Sequence, residues 1–227
     1  MSVPARIVVV VPAFNEGTAI AAVVAGLLPY CSACVVVDDG SGDGTGAAAA
    51  QAGATVLRHS VNRGQGAAIL TGVTYARRLQ PDAIVSFDAD GQHDPKDIAA
   101  IAAPVLDGRA DIVFGSRFLG RTEHMPRSRR YLLKGGIVFT RLFSGVRMTD
   151  VHNGLRAWSP RAASELTITL DGMAHASEIL DQIRTHGWRH VEVPATIRYS
   201  EYSMRKGQSA FNSIRIVLEL ILQRLGA

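Results

Sequence analysis

Short runs rich in β-branched residues alternate with alanine-rich stretches of helix-forming composition, and that alternation constrains this chain more than any other feature. Residues 7–11, 34–37, 55–57, 83–87 and 111–114 read as strands, with helices expected between them over 16–28, 44–51, 64–79 and 95–106. Strands joined by helices in this rhythm pack as a doubly wound, mostly parallel α/β sheet with helices on both faces. After Gly115 the rhythm lapses into a polar, basic stretch over 117–130, long enough to be a functional loop. A helix over 131–143, a strand over 154–158, a helix opening near Ala174, a strand over 191–197 and an amphipathic helix from Ser209 complete the expectation. No linker rich in Pro, Ser or Gly and no internal repeat divides the 227 residues, so one domain is expected over 1–227, elaborated from residue 117 onward.

Four stretches at or just beyond strand ends hold residues that make poor core and good ligands. They are Pro12-Ala13-Phe14-Asn15-Glu16, Asp38-Asp39-Gly40-Ser41, Asn62-Arg63-Gly64 and Asp88-Ala89-Asp90-Gly91-Gln92. In an open parallel sheet all four emerge at the carboxyl edge, where ligands bind. Strand alternation turns Asp88 and Asp90 the same way, and two like charges held together repel unless a cation lies between them. Hard oxygen ligands with room for phosphate and water describe a Mg²⁺ or Mn²⁺ site, to which Gln92 can add an amide oxygen. A solvated turn with Asp94-Pro95 capping the next helix is the plainer alternative.

Asp38-Asp39 precede Gly42-Asp43-Gly44-Thr45-Gly46-Ala47, a loose dinucleotide fingerprint. Two carboxylates ahead of it repel a pyrophosphate, and it follows the second strand, not the first. A carboxylate accepting from a base N–H or a ribose hydroxyl is the better reading. An EF-hand over 39–50 fails, because Ala50 stands where a bidentate Glu is required.

A hydrophobic share of 47 % against 19 % charged residues excludes a disordered chain. Cys31 and Cys34 have redox-motif spacing but run into a strand instead of capping a helix, so two inert thiols are expected. With no secretory start, a reducing cytoplasm is the expected setting. No apolar run reaches the ~18 residues of a membrane span. The net charge of +4 is local: residues 117–147 hold eight Lys and Arg against Glu123 alone. Such a segment suits a phosphorylated ligand or an anionic membrane surface, and nucleic acid is not an expected partner because no recognition-helix or aromatic signature accompanies it. His59, His124, His186 and His190 are expected at the surface. His175 and Glu178 lie one helical turn apart in Met173-Ala174-His175-Ala176-Ser177-Glu178, either as a candidate acid–base pair or as polar residues near a helix start.

Taken in order, these segments resemble the family 2 glycosyltransferases of GT-A fold, and among them the dolichyl- and polyprenyl-phosphate sugar synthases. The resemblance also rests on Asn62-Arg63-Gly64-Gln65-Gly66, Gly115-Ser116-Arg117-Phe118, Asn153-Gly154-Leu155-Arg156-Ala157 and Arg205-Lys206-Gly207-Gln208-Ser209, and it spans nearly the whole chain. Gln65 stands where the family commonly has a lysine. The resemblance implies an inverting transfer from a nucleotide-diphosphate sugar. Residues 1–116 would bind the donor, with Pro12, Phe14, Glu16 and Asp39 on the nucleoside and Gly64 and Ala89 lining the same site. Asp88, Asp90 and Gln92 would hold Mg²⁺ or Mn²⁺, and Arg117, Arg205 and Lys206 the phosphates. Residues 117–227 would build the acceptor side, where His175 and Glu178 join Asp90 and Arg117 as candidate catalytic residues. The implied acceptor is a polyprenyl phosphate met at the inner face of the cytoplasmic membrane. A saccharide hydroxyl in cell-envelope synthesis is the alternative acceptor, and a nucleotidyltransferase or a non-catalytic sugar-nucleotide-binding protein the alternative function.

Overall fold

The first strand, β1 (Ile7–Ala13), is buried along almost its full length, and the rest of the sheet is built outward from it. A computed structural model describes residues 5–123, 146, 148–150, 153–170, 172 and 175–199. In chain order it contains β1, α1 (Ile20–Leu27), β2 (Ala33–Asp38), α2 (Thr45–Gln51), β3 (Thr55–Arg58), α3 (Gln65–Arg77), β4 (Ala83–Ser86) and α4 (Asp97–Leu106). Then follow β5 (Ile112–Ser116), β6 (Thr122–Glu123), β7 (Arg156–Trp158), α5 (Pro160–Glu165), α6 (His175–His186), β8 (His190–Pro194) and β9 (Ile197–Arg198). The helices expected over 131–143 and from Ser209 lie outside the described residues.

Seven strands form one sheet in the order β3-β2-β1-β4-β7-β5-β8, with β6 and β9 paired separately. β1 runs parallel to β2 and β4, β2 to β3, and β5 to β8. Only β7 among these seven runs antiparallel, wedged between β4 and β5. Alternation along β1 sends Val9 and Val11 into one core with Ile20, Val24, Leu27, Ile98 and Ile101, and Val8 and Val10 into the other with Ile69, Val73, Ile179 and Ile183. Each fully buried valine is worth about 1.5–3 kcal/mol of transfer free energy, so a central strand with both faces covered anchors the fold. The mostly parallel sheet with helices on both faces agrees with the sequence.

Three local readings are corrected. The first helix begins at Ile20, not at residue 16, because the Glu16 N–H bonds Thr45 Oγ1 at 2.8 Å and its carbonyl accepts from Ala19 and Ile20 in a turn. The strand expected over 191–197 is two, since the Ala195 N–H turns to the Ser116 carbonyl and β9 leaves the main sheet for β6. β4 ends at Ser86, so Asp88 and Asp90 sit in a turn and strand alternation is not what brings them together.

From β1 the chain steps outward to β2 and β3, then returns past β1 to β4 on its other side. The β1/β4 boundary is therefore a topological switch point, and a crevice opens above the carboxyl ends of such strands.

Candidate active site

The loops after β1 and β2 are sewn together above this crevice. Asn15, with φ at 53°, donates its backbone N–H to Ser41 Oγ at 2.9 Å, and its side-chain oxygen accepts from Gly42 N–H at 3.1 Å. Pro12 is buried on β1, Glu16 is buried beside Thr45, and Phe14 between them is 44 % exposed. Asp38 turns back to cap its own loop, accepting from Ser41 N–H at 2.8 Å. Asp39 is held harder. Its Oδ1 accepts from His59 Nδ1 at 2.6 Å and Arg63 N–H at 2.9 Å, and its Oδ2 from Gly64 N–H at 2.7 Å. His59, expected at the surface, is instead half-buried between Asp39 and Thr71 Oγ1, which lies 3.0 Å from its Nε2. His186 is half-buried, His190 is exposed, and His124 lies outside the described residues.

The turn after β4 carries Asp88, buried Ala89 and Asp90. Asp88 Oδ1 accepts from Gln65 Nε2 at 3.1 Å and its Oδ2 from His93 Nε2 at 3.0 Å, so Gln65 reaches the carboxylate pair as a neutral donor. Gly154 closes the other side, where any Cβ would overlap both Asp88 carboxylate oxygens. Burial works against the Asp88 charge, yet the His93 hydrogen bond and the positive charges of Arg156 and Arg117 prevail and hold it below the ordinary carboxylate range. The Asp90 carboxyl is pushed up to about 6, first by burial and then by the charge of Asp88. Gln92 donates its backbone N–H to Asp90 Oδ1 at 3.0 Å. Among the described residues no cluster of three or more His, Cys, Asp or Glu forms a metal cage. Two hard-oxygen carboxylates that repel each other still suit a divalent cation held chiefly by substrate phosphates, since Mg²⁺ commonly takes only one or two protein carboxylates.

Behind this pair lies a buried polar layer. Arg156 on β7 is pulled down to about 10 by burial, against the opposing pull of Asp88 and Asp150, so it stays charged at neutral pH. Its Nη1 is 3.5 Å from Nε2 of His175, whose Nδ1 donates to the Gly172 carbonyl at 2.8 Å. Arg117 is also buried: its Nε lies 2.6 Å from Asp150 Oδ2 and its Nη1 3.1 Å from Tyr199 Oη. Glu192 secures this arrangement by accepting from the Thr149 and Asp150 backbone N–H groups. Glu178 accepts from the N–H and hydroxyl of Thr169 and from Leu170 N–H, holding the segment ahead of α6. His175 and Glu178 thus share a helix turn but have separate partners. Arg205, Lys206 and most of 117–147 lie outside the described residues. Cys31 and Cys34 are thiols raised to about 11 and about 12, chiefly by burial, as inert residues should be. Among the described residues no helix is long and apolar enough to cross a membrane.

His59, His93, Arg156, Asp150 and Tyr199 acquire roles here that sequence reading did not assign. His93 alone had a local signal, following Asp88 by five residues. The others meet their partners across 12 to 82 positions.

The model of glycosyl transferase family 2 matches residues 8–163. The chain belongs to glycosyltransferase family 2. This family 2 glycosyltransferase is 39 % identical to an uncharacterised protein of Methanocaldococcus jannaschii, over 97 % of its own length and 93 % of that protein. It is 31 % identical to the UDP-N-acetylglucosamine–dolichyl-phosphate N-acetylglucosaminyltransferase of Methanococcus voltae, over 97 % and 96 % of the two chains. It is also 31 % identical to the undecaprenyl-phosphate mannosyltransferase of Micrococcus luteus, over 84 % and 83 %. Its fold matches Mycobacterium tuberculosis glucosyl-3-phosphoglycerate synthase, solved with Mn²⁺ and UDP-glucose, at a TM-score of 0.74 and 20 % identity over 98 % and 79 % of the chains. The glycosyltransferase therefore has the GT-A architecture expected from its motifs.

Proposed function

We propose that this enzyme transfers a sugar from a nucleotide-diphosphate sugar to a polyprenyl phosphate, with inversion at the anomeric carbon. The observation that carries the acceptor reading is the engagement of Glu178. A hydroxyl acceptor must lose a proton in the transition state, and a positioned base contributes about 10²- to 10⁴-fold to that step. Glu178 is committed to Thr169 and Leu170, and the Nε2 of His175 faces Arg156. A lipid phosphate is already ionised and needs no base. Likeness to two prenyl-phosphate sugar transferases over most of both chains supports the same choice.

Phe14 offers an exposed aromatic face for the donor base, and Asp39 a buried carboxylate beside it, since the Asp39 N–H bonds the Ala13 carbonyl at 2.8 Å. Pro12, Glu16, Gly64 and Ala89 shape the surrounding walls. Asp88 and Asp90, with the Gln92 amide oxygen, would hold Mg²⁺ or Mn²⁺, which supplies charge stabilisation for the departing diphosphate. Gln65, His93 and Gly154 keep Asp88 in place for that task. Arg117 and Arg156 add fixed positive charge behind the carboxylates, while Arg205 and Lys206 steer the acceptor phosphate. Holding both substrates in one crevice supplies much of the remaining acceleration. The peripheral, inner-face location follows from the lipid acceptor and the basic 117–147 segment.

The test is turnover of UDP-, GDP- and dTDP-sugars with polyprenyl phosphate and Mn²⁺, followed by mass spectrometry of the lipid fraction. A glycosyl-phosphoprenol should form with release of nucleoside diphosphate and should be lost in chelator. Asp90→Asn should keep the fold and lose at least the roughly 10- to 100-fold typical of ligand-supporting residues. Glu178→Gln should fall only modestly, by a similar factor across pH. A thousandfold loss in Glu178→Gln with donor binding intact would make Glu178 the general base and the acceptor a saccharide hydroxyl.

A further inference from the structure

We infer that His59 sets the base selectivity of the donor site, leaving Asp39 a single acceptor position that suits a base presenting one N–H, as uracil does. The inference rests on the donor reading above and deepens it.

A carboxylate has about four acceptor positions, two on each oxygen. On Asp39, Oδ1 is filled by His59 Nδ1 and Arg63 N–H, and Oδ2 takes Gly64 N–H. One position remains, on Oδ2. The Arg63 and Gly64 contacts are made by backbone at the entrance to α3 and are independent of side-chain identity. His59 is the one side chain among these three donors, and therefore the one that sequence can change. Its ring is anchored at the far end by Thr71 Oγ1 on α3, 3.0 Å from Nε2, so Nδ1–H is directed at Asp39.

The consequence depends on how bases present donors. The imide edge of uracil offers one N–H between two carbonyls, which one free position satisfies. Guanine offers N1–H and N2–H side by side and engages a carboxylate through both oxygens, as an arginine fork does. With Oδ1 filled, half of that fork is unmatched. Cytosine and adenine bring a ring-nitrogen acceptor toward the carboxylate and repel it. Because the Asp39 side chain is 4 % exposed and that of His59 10 %, water cannot make up an unmatched group, and a buried polar mismatch discriminates far more strongly than a change of apolar size.

His59 is thus a positioning residue, acting on the donor base through Asp39. The test is calorimetric titration of the full chain with UDP and with GDP in the presence of Mg²⁺, for the wild type, His59→Leu and His59→Asn. The wild type should bind UDP at least about tenfold more tightly than GDP. His59→Leu frees a position on Oδ1 and should weaken UDP while narrowing the ratio; His59→Asn, with an amide N–H in place of Nδ1–H, should restore the preference. In turnover with a UDP-sugar the His59→Leu change should fall on the donor KM, with kcat within about twofold, since only ground-state and transition-state binding in common is lost. Thr71→Val, which removes the outer anchor without touching Asp39, should narrow the ratio in the same direction, and it decides the matter should His59→Leu fail to fold. A wild type that prefers GDP, or a ratio unchanged in the variants, overturns the inference and leaves the donor reading standing. A wild type that binds neither nucleotide overturns both.

Discussion

Position 88 is shaped as much by a glycine 66 residues away as by its own side chain. Gly154 leaves the space in which the Asp88 carboxylate lies, and its carbonyl is pinned by Ser86 Oγ at 2.6 Å, so the backbone there cannot easily retreat. Gly154→Ala should displace the carboxylate and lower turnover about 10- to 100-fold while the far-UV circular dichroism spectrum is kept. A wild-type rate in that variant would rule out the close approach. His175 makes a different prediction. Burial first, then the charge of Arg156, lowers its imidazole to about 4 from an ordinary 6.5. The unfolded chain takes up the proton first, so this residue's contribution to stability is whole above pH 6.5 and is lost as pH falls to about 4. The loss approaches ~3 kcal/mol. Urea unfolding of wild type and His175→Gln between pH 7 and pH 4.5 isolates it, because only the wild type should show this share of the acid loss; parallel curves would contradict the assignment. Asp88, Asp90 and Asp39 were legible as candidate site residues from residue type alone, since carboxylates at strand ends make poor core. His59 and Arg156 were not, because each owes its role to partners that only the tertiary fold supplies, whereas the partner of His93 lies five residues before it.

The helix α3 approaches the sheet so closely that a Cβ at Gly72 would overlap Val10 Cγ1, with Val37 Cγ2 only 3.1 Å away. Gly72→Ala improves helix propensity by about 1 kcal/mol, yet overpacking a dense core costs about 1–3 kcal/mol, so the net effect should be destabilisation. A lowered urea midpoint at unchanged slope checks it, and a raised midpoint would mean that α3 can lift off β1 without penalty. The consequence reaches the site, because α3 opens with Gly64 and Gln65, the contacts of Asp39 and Asp88. The early strands were legible because valine runs buried on both faces have few other homes. The three residues of β7 carry no pattern that reveals direction, and only the pairing of Ala157 with both Val85 and Val113 defines it. The parting of β8 from β9 was hidden for the same reason, since it depends on where the Ala195 N–H finds its acceptor.

At the scale of the whole molecule, charge is partitioned. Eight of the 24 Lys and Arg residues fall within 117–147, in a chain whose described residues contain no membrane-spanning helix. Each basic side chain near an anionic surface adds about 1 kcal/mol, so half of these would suffice to hold the protein on a bilayer. The enzyme should co-sediment with phosphatidylglycerol-containing vesicles at low ionic strength and be released by salt; failure to sediment would return the segment to a role in phosphate binding. The architecture also bears on how the protein comes into being. β5 pairs with β7 and β8, neither of which precedes residue 156. During synthesis the loops after β1, β2 and β4 emerge first, but β4 waits with one bare edge until β7 has left the ribosome, and β5 with both edges unmated until β7 and then β8 have done so. The later part of the chain completes the sheet that the earlier part begins, so nascent chains arrested before that point would present a sticky strand and are natural clients for chaperones.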